Sequence, residues 1–137
     1  MATNGQFTDG GADAALTAVF KTGTLYLGLC TQTLTDSSTN APTGEEDDAA
    51  YARIAVTSTF GAPYADAGVR KVKNTADITF GPWTLAASPA ITHVFLTDDA
   101  AGAGGTILYW WELATAKTPG AGDTFTLPAN LLIAGLE

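Results

Sequence analysis

Catalysis in this chain would have to pass through its one histidine. His93 lies in Ile91-Thr92-His93-Val94, and a nucleophilic reaction would need Ser88 or the single cysteine, Cys30, as attacking group, with Asp98 or Asp99 orienting the imidazole. The spacing supports neither pairing, so His93 reads as a structural or interface histidine and no catalytic residue is expected. One histidine and one cysteine cannot build a zinc cluster, and no Gly-x-Gly-x-x-Gly run links a strand to a helix. No metal and no cofactor are therefore expected. Cys30 sits in an apolar run and reads as a buried thiol without a disulfide partner. The run Glu45-Glu46-Asp47-Asp48 offers oxygens to a hard cation but lacks the alternation and glycine of a calcium loop, and reads as a solvated acidic loop. Recognition is what remains. Trp83, Trp110 and Trp111 could stack on a sugar, fill the core or form a subunit interface.

The elements that must position these residues centre on Ala90–Leu113. A strand over Ile91–Thr97, a Gly-rich turn over Asp98–Gly105 and a strand over Thr106–Leu113 form a pair. Side chains alternate across a strand, so Trp110 and Trp111 cannot enter one core together. One of them needs a cover: a second layer of the same domain, the loop around Trp83, or another chain.

Upstream, Met1–Thr8 is polar and reads as an extended arm carrying Phe7 as its anchor. A helix over about Gly11–Lys21 follows, with Asp9 as N-cap, Asp13 in the first turn, and Lys21 and Gly23 at its end. Thr24–Thr31 alternates three leucines against Tyr26, Gly28 and Cys30 and predicts a strand. Gln32–Ala50 holds nothing that can bury a core, so a long surface loop is expected. Tyr51–Phe60 predicts a second strand and Gly61–Gly68 a turn. Arg70, Lys71 and Lys73 then bring together half of the six basic residues, as a charged strand edge or a contact for a carboxylate partner. Asp77–Phe80 is a short strand ended by Gly81-Pro82-Trp83, and Thr124–Leu127 and Leu131–Leu136 complete the pattern. About seven or eight short strands with one helix predict a mainly β fold, an antiparallel β-sandwich or jelly roll. The expected organisation is an N-terminal arm, residues 1–10, before a single domain, residues 11–137.

Composition narrows the partners. With 137 residues, 46% of them hydrophobic, the chain can bury a real core without staples. A formal charge of −8 repels phosphate, so nucleic acid and anionic membranes are not expected partners. Met1–Thr8 has no basic or apolar signal region, and no apolar run approaches a ~20-residue span, so a soluble compartment is expected. Charged residues are only 15%, low against about a quarter in typical domains, which suggests surface sheltered in an assembly.

Six segments in order, Tyr26–Thr31, Tyr51-Ala52-Arg53 with Ala55-Val56-Thr57, Asn74–Phe80, Ile91-Thr92-His93, Leu108-Tyr109-Trp110 and Ala121–Phe125, resemble a family of short tailed-phage virion proteins often labelled tail fibre proteins. Its small β-sandwich is also similar to the cement or decoration proteins of phage heads. The resemblance implies a structural, non-enzymatic virion protein, foremost a capsid cement protein on the outer capsid surface, made in the host cytoplasm. A tail or fibre attachment protein and a carbohydrate-binding module are the alternatives. The implied partners are the major capsid protein and further copies of the chain, as dimer or trimer. Phe7, Arg70, Lys71, Lys73, Trp83, Trp110 and Trp111 are the candidate interface residues.

Overall fold

The computed structural model describes residues 5–35, 37–39, 42–87, 89–100 and 105–136. The helix, α1 (Asp9–Phe20), starts earlier than its composition suggests, because Thr8 and not Asp9 is the N-cap: the Thr8 hydroxyl accepts from the Gly11 N–H at 3.1 Å. Asp9 instead supplies the negative charge of the first turn. Ala12, Leu16 and Phe20 form its buried stripe.

Nine strands follow among the described residues: β1 (Tyr26–Cys30), β2 (Ile54–Ala55), β3 (Tyr64–Asp66), β4 (Val69–Lys73), β5 (Ile78–Phe80), β6 (Ile91–Thr97), β7 (Ile107–Lys117), β8 (Phe125–Leu127) and β9 (Ile133–Gly135). They form three antiparallel sheets ordered β2-β1-β6-β7, β3-β4-β9 and β5-β8. The fold is mainly β and sandwich-like, without a closed barrel. The inner face of the four-stranded sheet presents Leu27, Leu29, Val94 and Leu96, all fully buried, to a core completed by Phe20, Val72, Phe80 and Leu132. Each such leucine contributes about 1.5–3 kcal/mol on burial.

Three expectations change. Tyr51–Phe60 is not a continuous strand: only Ile54–Ala55 pairs with β1, and Phe60 makes one further bridge to Asn74. The segment turns inward at Arg53 and folds back at Thr59, whose N–H donates to the Val56 carbonyl. Arg70, Lys71 and Lys73 do not guard an edge, since β4 is the central strand between β3 and β9. Finally, the segment after β1 is not wholly solvated: Leu34 is 2% exposed and Glu46 8%.

β1 and β6 are thereby buried on both faces. On the outer face, Gly28 stands opposite Phe95, and a Cβ at Gly28 would lie 2.3 Å from the Phe95 Cζ. Glycine is required because the ring lies flat against the strand. The loop after β1 then closes over Cys30 and Phe95 with Leu34, joined by Ile107 and Trp110 from the β7 side.

Candidate functional site

The adjacent tryptophans divide as alternation demands. Trp111 enters the main core, stacked on Phe60 with centroids 6.1 Å apart and planes at 6°, and its indole N–H donates to the Ile133 carbonyl at 2.9 Å. That bond joins the edge of one sheet to the edge strand of the other. Trp110 lies on the outer face against the Cys30, Leu34 and Phe95 cluster, 5.7 Å from the His93 ring. Much of its cover comes from the chain's own loop. Trp83, expected at an interface, is only 3% exposed and belongs to the core, where Gly81-Pro82 delivers it inward.

That loop is strapped down by its acidic residues, which sequence reading placed in solvent. Glu45 pairs with Arg53 through two bonds of 2.8 Å, and the same carboxylate accepts from the Tyr51 hydroxyl at 2.8 Å. The Arg53 side chain is 2% exposed, lies 5.0 Å over the Phe95 ring and donates to the Asp99 carbonyl. Burial would lower the Arg53 pKa, but the Glu45 carboxylate outweighs it and raises the guanidinium further. Burial raises the Tyr51 phenol well above its ordinary value, so it stays a donor. Asp48 accepts from the N–H groups of Ala50, Thr84 and Leu85 and from the Thr84 hydroxyl. Desolvation opposes ionisation there, yet these bonds win and lower the carboxyl to about 2. The tell-tale in the sequence was Arg53, the one cation near an acidic run.

The structure does place Cys30 opposite His93 in register, with Glu112 on the far side of His93. The row presents no nucleophile: burial raises the Cys30 thiol, which donates to the Thr43 carbonyl at 3.5 Å beneath Leu34. Asp99 serves Arg53 through its carbonyl, Asp98 accepts from the Thr106 N–H, and Ser88 lies outside the described residues. Among the described residues no cluster of His, Cys, Asp and Glu could hold a metal ion, and no helix is long and apolar enough to cross a membrane.

Strand alternation separates Arg70 from Lys71 and Lys73. Arg70 turns to α1 and pairs with Asp13 at 2.6 and 3.0 Å, Lys71 pairs with Asp66 at 2.9 Å, and Lys73 lies 4.9 Å over the Tyr64 ring. Each is thereby engaged within the chain. Arg70 and Phe7 both line a cleft of about 560 Å³, with Val69 and Leu136, between the arm, α1 and the β3–β4 hairpin. Phe7 is 62% exposed there, and the other large exposed apolar residues among the described ones are Leu85, Leu131 and Ile133.

Residues 12–134 match the family model described as Podophage GP4 fiber I protein gp80. No curated protein matches the chain.

Proposed function

The chain belongs to the family of the podophage GP4 fiber I protein gp80, a structural protein of the phage virion, and from that premise we propose that it is a non-catalytic docking subunit of the fibre assembly. The observation that carries this reading is the match to a fibre family across residues 12–134. The surface supports it: Phe7, Leu85, Leu131 and Ile133 are 62, 73, 49 and 41% exposed, and exposed large apolar groups are what a protein-binding face offers. In this reading the chain docks as a dimer or trimer on other virion proteins. Capsid cement is the second reading, with the major capsid protein as partner. Its support is the charge of −8, which suits an outer surface away from packaged DNA.

Counting copies separates the two. Quantitative mass spectrometry of purified particles should give a small number of subunits per virion, and antibody labelling should mark the tail vertex. A number comparable to the capsid protein, with label over the whole head, would replace the fibre reading with cement.

A further inference from the structure

We draw no further inference here: the strongest candidate, the patch of exposed Leu131 and Ile133 beside Lys73 on the outer face of the β3-β4-β9 sheet, carries nothing because no feature of the structure shows what covers it.

Discussion

Arg53 shows how one buried charge organises this fold. Its partner Glu45 holds it through two 2.8 Å bonds while Phe95 covers its face, so removing the carboxylate takes away the charge that offsets the burial of the guanidinium. Glu45→Gln should cost about 3 kcal/mol in urea unfolding, and the double variant Glu45→Gln/Arg53→Met should recover part of that. A double variant as unstable as the sum of its singles would mean that the pair is not coupled. Asn74 is the neutral counterpart: fully buried, it donates to the Ala76 and Pro128 carbonyls and accepts from the Leu132 N–H. Neither role was legible in the sequence, because a polar residue between turn signals reads as surface whether its partners are water or backbone groups fifty positions away. Asp48 is the third case. Its pKa falls from 3.8 to about 2 in the folded chain, so its contribution to stability is full above pH 4 and is lost as pH drops through 2. Asp48→Asn should flatten the pH dependence of unfolding between pH 4 and 2, as followed by thermal melts. An unchanged slope would remove Asp48 from the strap.

At the scale of elements, β6 was fully legible over Ile91–Thr97, and β7 in its first half, because long runs of β-branched, aromatic and leucine residues leave few alternatives. The turn between β3 and β4 was legible as a turn but not as a hairpin. Ala67 and Gly68 have φ of 50° and 81°, the positive φ at both positions that a type I′ two-residue loop takes, and an alanine there gives no sign of it in the sequence. The adjacent tryptophans of β7 left a second layer of the same domain or a partner chain open as cover, and the loop after β1 supplies much of that layer, with Leu34 packed among Cys30, Phe95 and Trp110. Gly28 is the key to that layer. Since Phe95 is 0% exposed and cannot swing out, Gly28→Ala should overpack the outer face and cost about 3 kcal/mol. Phe95→Leu, placed on top, should restore some of the loss. Wild-type stability for Gly28→Ala would mean that the strap is loose enough to yield.

For the whole molecule the decisive quantity is how little cationic surface is left for docking. Three of the six basic residues, Arg53, Arg70 and Lys71, are in ion pairs within the chain, and Lys73 lies over Tyr64. An acidic partner surface would therefore have to compete with Asp13 and Asp66 for the same groups. For the docking proposed above, apolar contact is therefore the expected source of affinity. Phe7, Leu131 and Ile133 stand exposed, and Phe7 sits on an arm that precedes the capped start of α1. Two consequences differ in sign from an electrostatic mechanism. Binding of the isolated chain to stripped particles should change by less than about twofold between low and high ionic strength, because screening acts on exposed charges and not on buried apolar area. Phe7→Ser should weaken that binding by about tenfold or more, since burying a phenylalanine is worth about 1.5–3 kcal/mol, while the melting temperature of the free chain changes little, the ring being 62% exposed. Steep salt dependence with a normal response to Phe7→Ser would return the docking role to Arg70, Lys71 and Lys73, released from their present partners.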